Sequence, residues 1–557
     1  MLQAGTLYSI YQTHLQRAPT DTILIEHDRA VSLEEFDRLC ARTADWLAGQ
    51  GIVPGDHVGV WVVNRVEWLA ILFGLARLGA TLVAVNTRYR GHELQYILSN
   101  SQASMLILQL NLRKIDFADV LDQVDPASLP RLKKIAVIDA DNDTPSHLLG
   151  KPVVAFEPVF AAAANVVHTG AAAQTTAPPI ADSESLSASV ADAPVVFFTT
   201  SGTTKGPKLV MHTQRNLSTH AGHVAQSFGF AAPGNVLLAA LPLCGVFGLN
   251  SVLAAIAAGM PVVLMDIFDA HTASELLRKH HVTHIFGSDE MLRRLIEINT
   301  DDIPFPDLRL FGFAAFSPGL VELAENLIPR GFPIRGLYGS SEVNALFSLQ
   351  RADLPIAQRA LGGGTPAGGA LASVRARDPD SGAICAPGVA GELEIHSPTR
   401  FTGYFNNPRA TSDALTDDGF FKTGDLGYVR PDGSFVYQAR MGDTMRLGGF
   451  LVDPSEIEEV LAELPEIASA QVVGIEIEGR LRPVAFAIPA IADPSADALL
   501  AQVASELAAF KVPVRLWFVQ EFPATASANG LKFQRTRLRD MALENLRKEQ
   551  AVKHTHV

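Results

Sequence analysis

The N-terminal part of the chain alternates between two hydrophobic periods. Glu34 to Gln50 places apolar residues at helical spacing, and Val58-Gly59-Val60-Trp61-Val62-Val63 is a short β-rich run. Trp68 to Leu78 is helical again, and Gly79 leads into the apolar strand Ala80 to Val85. The alternation resumes with Pro261 to Met265 as a strand and Ala273 to His280 as a helix. Such a pattern predicts a parallel sheet covered by helices. Residues 161–193 break it: they are rich in Ala, Thr, Ser and Pro and read as a linker-like insertion. Around Gly391 to Ile395 and Gly433 to Tyr437 the runs shorten to small strands with Asp-Gly turns, as in a β-rich subdomain. Near Arg440 a new unit is expected. Asp453, Pro454 and Glu456 mark a helix start running to about Leu464. The strand Ala470 to Gly474, the helix Ala496 to Phe510 and the strand Leu516 to Val519 follow. The expected fold is α/β. An N-terminal domain over 1–439, with αβ layers and the β-rich subdomain, precedes a small mobile α+β domain over 440–557, hinged near 440–443.

Composition narrows the partners. Hydrophobic residues make up 48% of the 557 and charged ones 19%, an ordinary globular balance. A net charge of −14 argues against nucleic acid and offers no polybasic patch for an anionic membrane. The apolar stretches Trp68 to Asn86 and Gly248 to Met265 are interrupted by Arg77, or by Asn250, Ser251, Gly259 and Pro261. Each reads as a buried helix turning into a buried strand. Three separated cysteines, Cys40, Cys244 and Cys385, suit buried thiols in a reducing compartment. With no basic-then-apolar start, the expected location is the cytoplasm.

The apolar strand Pro194 to Phe198 ends in Thr199-Thr200-Ser201-Gly202-Thr203-Thr204-Lys205-Gly206-Pro207-Lys208. Glycines and hydroxyls let backbone amides close on phosphate oxygens, and Lys205 and Lys208 add positive charge. The spacing differs from the Walker loop, so a P-loop NTPase is disfavoured. Alone, the run is equally well an unliganded Ser/Thr/Gly turn.

Six segments in order make the resemblance specific. The loop resembles the signature of the adenylate-forming superfamily of acyl- and aryl-CoA synthetases, luciferases and peptide-synthetase adenylation domains. Leu241 to Leu249 is similar to its substrate-pocket segment. Gly336-Leu337-Tyr338-Gly339-Ser340-Ser341-Glu342 resembles its Tyr-Gly-x-Thr-Glu motif, and Phe421-Lys422-Thr423-Gly424-Asp425 its Tyr-Arg-Thr-Gly-Asp motif. Arg440, Gly442-Asp443 and Leu447-Gly448-Gly449-Phe450 resemble the hinge and the start of the small domain; Asn529 to Arg535 resembles the C-terminal lysine loop.

The resemblance implies ATP, Mg²⁺ and coenzyme A as a co-substrate. It places Thr200 to Lys205 and Lys208 on the phosphates, Tyr338 and Gly339 near adenine, Ser341 at the α-phosphate, and Asp425 on the ribose hydroxyls. Glu342 becomes the Mg²⁺ carboxylate, Arg440 a ribose or phosphate ligand, and Lys532 the catalytic lysine, with Lys511 a second candidate by charge alone. Each is ordinary in isolation: a capped turn, a Gly-Asp turn, a surface arginine, a solvated lysine. The acyl pocket is expected from Cys244, Gly245, Phe247, Phe313 and Ala314, with Gly245, where relatives often carry histidine or an aromatic, widening it. Gly442, Gly448, Gly449 and Phe450 are expected at the hinge and the thiol tunnel. An apolar monocarboxylate, fatty or aromatic, is the expected acid, as the segment holds no charge to pair with an amine or a second carboxylate. Carrier-protein loading, luciferase-like oxygenation and a non-catalytic nucleotide sensor remain as alternatives. No integral membrane segment is expected, and a homodimer is compatible.

Overall fold

The computed structural model describes residues 5–112, 115–158, 190–200, 207–314, 320–379, 381–441, 445–447, 450–452, 454–527, 530–533 and 535–555. Two large sheets organise the chain up to Arg440. One has nine strands, with His57–Trp61 and Thr81–Ala84 at its centre, running parallel to Met105–Gln109 and Lys134–Ile138. The other has thirteen. Its first half is largely parallel, from Thr22–Glu26 through Val262–Leu264, Leu237–Ala239, His284–Ser288 and Leu310–Ala314 to Ile334–Ser340. There it turns antiparallel, through Asn344–Leu349, Gly363–Pro366, Phe435–Arg440 and Phe421–Val429. The β-rich region is thus continuous with the parallel sheet, because Gly363–Pro366 pairs on both sides.

The largest core lies between the sheets, around the helices Leu33–Gly49, Val66–Leu78, Gln214–Ser227 and Val246–Ala257. Smaller cores cover the far face of each sheet. Local signals explain the boundaries. The Ser32 hydroxyl accepts from the Glu35 amide at 3.2 Å while the Glu35 carboxylate accepts from the Ser32 amide at 2.9 Å, closing the start of Leu33–Gly49. Gly79, at φ +71°, ends Val66–Leu78 and releases the chain into Thr81–Ala84. Both apolar stretches are a buried helix followed by a buried strand, and among the described residues no helix is long and apolar enough to cross a membrane.

Beyond Met445 the chain builds its own sheets, a three-stranded one of Ile467–Ile477, Arg480–Pro489 and Leu516–Phe518 among them, with cores of their own. The helix expected to reach Phe510 spans Ala496–Glu506. Leu507 is extended, and Ala508 to Lys511 form a turn before Pro513, a residue that disfavours helix just ahead of it. Cys40 and Cys244 are buried as expected, whereas Cys385 is half exposed. Of the linker-like stretch, 161–189 lies outside the described residues; so does Asp453.

Candidate active site

The phosphate-loop run is the tip of a hairpin. Pro194–Thr200 and Lys208–Thr213 pair antiparallel, Thr200 opposite Lys208. Ser201, Gly202, Thr203, Thr204 and Lys205 fall outside the described residues, so the two ends define the loop. At one end the Thr199 hydroxyl meets the Tyr89 hydroxyl at 2.8 Å. At the other, the Lys208 ammonium lies 4.9 Å from the centre of the Tyr404 ring.

Facing this hairpin is the turn at which the thirteen-stranded sheet changes from parallel to antiparallel. It carries Tyr338, Gly339, Ser341 and Glu342. Gly339 is required by crowding, since a Cβ there would sit 2.5 Å from the Ala345 Cα. Asn344 at φ +68° and Leu346 at +61° are held in the left-handed region, which a branched side chain rarely adopts. Buried partners hold them there. The Asn250 amide donates to the Asn344 side chain at 3.0 Å, Asn344 donates to the Thr399 carbonyl at 2.7 Å, and the His220 ring donates to the Ala345 carbonyl at 2.7 Å.

The turn is stitched to the nine-stranded sheet. The His212 ring donates to the Ser341 carbonyl at 2.6 Å, and the Tyr404 hydroxyl donates to the Glu342 carboxylate at 2.9 Å. The Phe401 amide donates to the Glu342 carbonyl at 2.6 Å. Both histidines are neutral donors: burial pushes His212 down to about 4 and His220 down to about 3. Asp425, buried on Phe421–Val429, accepts from the Tyr338 hydroxyl at 2.5 Å. Tyr338 is itself buried, edge-on to Phe435 at 5.3 Å and tilted on Tyr437 at 5.9 Å. Arg440 stands opposite Asp425 in the strand register. The turn therefore brings two carboxylates, Glu342 and Asp425, to adjoining segments, each held by a tyrosine.

In the pocket segment, Asn64 pins the approach. Its amide donates to the Leu241 carbonyl at 2.8 Å and its carbonyl accepts from the Leu243 amide at 2.7 Å. Cys244 is buried, its thiol pushed up to about 11 by that burial and held by the backbone of Thr87. Gly245 precedes the helix Val246–Ala257 at φ −99°, where a Cβ would meet only the Pro242 carbonyl at 3.4 Å. Phe247 packs on Phe286 at 6.2 Å, and Ala314 joins the same core. Phe313 does not. Strand alternation turns it to the far face of the sheet, among Ile285, Leu292 and Phe311, away from Phe247.

The family models then identify the chain. The AMP-binding enzyme model matches residues 11–405, and the AMP-binding enzyme C-terminal domain model matches 456–529. The chain belongs to the AMP-binding enzyme family. A fatty acid–[acyl-carrier-protein] ligase, ScoC, of Streptomyces coeruleorubidus is 30% identical over 97% of this chain and 96% of its own. A feruloyl-CoA synthase of Amycolatopsis is 29% identical over 92% and 95%. Among solved structures, a double mutant of the o-succinylbenzoate CoA synthetase of Bacillus subtilis with a product analogue, OSB-NCoA, overlays at TM-score 0.76, 23% identical over 95% of this chain and 98% of that one. The same synthetase with AMP overlays at 0.62, with 22% identity and equal coverage.

For an AMP-binding enzyme, the supporting residues are the ones a motif reading passes over. His212, His220, Asn250 and Tyr404 form the bonds that shape the Ser341-Glu342 turn, and Phe286 backs Phe247 of the pocket segment. The audible signal was Gly403-Tyr404 as a short strand and His212 inside an apolar strand; the partners lie 62 and 129 residues away. On the C-terminal side, Lys532 sits on the strand Gly530–Phe533, paired with Thr525 of Ala524–Ser527. Phe450 is in a two-stranded hairpin, opposite Leu447. Gly442, Gly448 and Gly449 lie outside the described residues. Lys511 is buried between Glu93 and Glu456.

Proposed function

We propose that this chain is an AMP-forming acid–thiol ligase that activates an apolar monocarboxylic acid with ATP and passes the acyl group to coenzyme A. The observation that carries the reading is the Ser341-Glu342 turn, tied by His212 to the very hairpin whose tip is the phosphate loop and by Tyr404 to the strand paired beside it. An acid oxygen attacks the α-phosphorus as the bond to pyrophosphate breaks, giving an acyl adenylate. The coenzyme A thiolate then attacks the acyl carbon and AMP leaves. Catalysis of the first step needs positioning and neutralised phosphate charge rather than a covalent enzyme group.

In this reading Thr200 to Lys208 hold the departing β- and γ-phosphates, Ser341 and Lys532 hold the α-phosphate, and Asp425 and Arg440 hold the ribose. Among the described residues no three His, Cys, Asp or Glu side chains gather, so Glu342 is a single carboxylate. That fits Mg²⁺, which takes one or two acids and fills its shell with nucleotide oxygens and water. Glu342 would hold the ion, whose charge offsets that of the phosphates. Cys244, Gly245, Phe247, Phe286 and Ala314 make the acid site apolar, in keeping with a relative named for a fatty acid and another for feruloyl-CoA. Three free cysteines suit a cytoplasmic enzyme.

The test is an acid panel scored for pyrophosphate and AMP release with and without coenzyme A. Apolar acids should turn over fully only with coenzyme A, and Lys532→Ala should lose pyrophosphate release yet still transfer from a supplied acyl adenylate. A panel in which no acid stimulates release would overturn the reading. ScoC favours one second reading, transfer to a carrier protein, which product formation dependent on a holo-carrier would establish.

A further inference from the structure

Among the contacts that join the described C-terminal elements to the rest of the molecule is a buried cation, Lys511. The Lys511 ammonium donates to Glu93 at 2.5 Å and to Glu456 at 2.8 Å. All three side chains are almost fully buried. Glu456 belongs to the same C-terminal unit as Lys511, whereas Glu93 lies 418 residues away, in the first turn of the helix Gly91–Asn100. Its second oxygen accepts from the Arg90 amide at 3.1 Å, so the carboxylate is fixed before Lys511 arrives. Burial works against the Lys511 charge, but Glu93 and Glu456 outweigh it and hold the amine firmly protonated. An exposed pair, Arg480 with Glu290 at 3.1 Å, adds little.

Both ends of this cluster reach working parts. Tyr89, four residues before Glu93, has its ring 5.6 Å from the Lys511 ammonium and its hydroxyl on Thr199 at the base of the phosphate loop. On the other side, the helix Pro454–Ala462 carries Glu456 and also Glu458, which pairs with Arg535 at 2.8 Å. Arg535 directly follows the hairpin that bears Lys532. The seat of Lys511 thus fixes where the lysine hairpin lies relative to the phosphate loop. The same fold overlays the o-succinylbenzoate synthetase better in its complex with a coenzyme A product analogue than with AMP, at matching identity and coverage. The closer overlay with the coenzyme A analogue complex is in keeping with a C-terminal unit docked for transfer.

We propose that Lys511, seated on Glu93, is a positioning residue for the thiol-transfer step: the bond docks the C-terminal unit for transfer and must open for adenylation. Tyr89 links the docking to the phosphate loop, since its hydroxyl meets the Thr199 hydroxyl at the base of the loop while its ring lies beside the Lys511 ammonium. The proposal rests on the two-step ligase reading above.

Glu93→Gln keeps the hydrogen bond to Arg90 and removes the charge. Pyrophosphate release should stay within about twofold, while transfer from a supplied acyl adenylate to coenzyme A should slow about tenfold or more. Lys511→Met should do the same, Lys511→Arg should restore most of the transfer rate, and Tyr89→Phe should give a smaller shift in the same direction. Equal losses in both steps, or an unchanged transfer rate, overturn the proposal. A readout free of catalysis separates it from the ligase reading. With nitroxides on Asp302→Cys and Ala498→Cys in a Cys385→Ser background, Glu93→Gln should broaden the distance distribution of the unliganded protein. An unbroadened distribution overturns the latch, whatever acid the enzyme uses.

Discussion

Tyr404→Phe isolates one bond in the site. The ring stays, packed edge-on against Phe401 at 4.9 Å, and the hydroxyl that donates to Glu342 at 2.9 Å is lost. A hydrogen bond to an ionised acceptor contributes about 1.5–3 kcal/mol. Glu342 is only half buried, which places this one near the lower bound, about 1.5 kcal/mol. Tenfold in an equilibrium constant is about 1.4 kcal/mol, so the orientation of Glu342 should weaken metal capture about tenfold. That lies within the roughly 10–100-fold typical of losing a partner behind a metal ligand. Acid-dependent pyrophosphate release, titrated with Mg²⁺ at saturating ATP, should show a midpoint raised about tenfold and a plateau within about twofold of the parent. Excess metal refills a weakened site but cannot replace a missing one, so Glu342→Gln should lower the plateau itself. An unchanged Mg²⁺ midpoint in Tyr404→Phe would refute the assignment of Glu342. A plateau that no concentration restores would refute the idea that Tyr404 acts only through orientation.

Three further outcomes are expected. His212 and His220 titrate near 4 and 3 when folded and near 6.5 when unfolded, so the unfolded state binds protons first and stability falls as pH drops through that window. At pH 5 each should cost roughly 2 kcal/mol, and urea unfolding of His212→Gln should lose about 2 kcal/mol less than the parent between pH 7 and pH 5; equal losses would refute it. Gly245→Ala, with room for a Cβ and an ordinary φ, should fold normally and shift an acid panel about tenfold toward smaller acids, a methyl group being worth about 1–3 kcal/mol in an apolar pocket; an unchanged panel would remove Gly245 from the pocket wall. Tyr338→Phe should raise the KM for ATP severalfold by freeing the Asp425 carboxylate, with the KM for acid steady; an unmoved KM for ATP would detach Asp425 from the nucleotide.

The alternation of periods made the parallel sheets and their helices legible, because burial on both faces leaves continuous apolar runs. The change to antiparallel strands was visible as shortened runs, but not that they extend the same sheet, since a strand's neighbour is set by packing rather than by its own pattern. Glu342 and Asp425 stood out through motif order. Tyr338, the holder of Asp425, stood in the same motif, but Tyr404 did not stand out, because it reads as an ordinary strand residue until the two sheets meet. Phe313 was misplaced for a simple reason: alternation decides which face it takes, and a run of apolar residues on both sides hides the phase. Lys511 was a second candidate for the catalytic lysine by charge alone; its burial depends on a glutamate from the opposite end of the chain.

The short strand Gly403–Tyr404 also sets an order of assembly. It completes the edge of a sheet whose neighbouring strand was made much earlier: the Thr402 hydroxyl donates to the Met211 carbonyl 191 residues upstream. During synthesis the turn can take its bonds from His212, His220 and Asn250 at once, but the Glu342 carboxylate waits for its hydroxyl donor until the ribosome has passed Tyr404. A contact of such long sequence separation forms late and slowly. A chain truncated anywhere between Glu342 and Tyr404 carries the hairpin and the turn but leaves the Glu342 carboxylate without the hydroxyl that orients it.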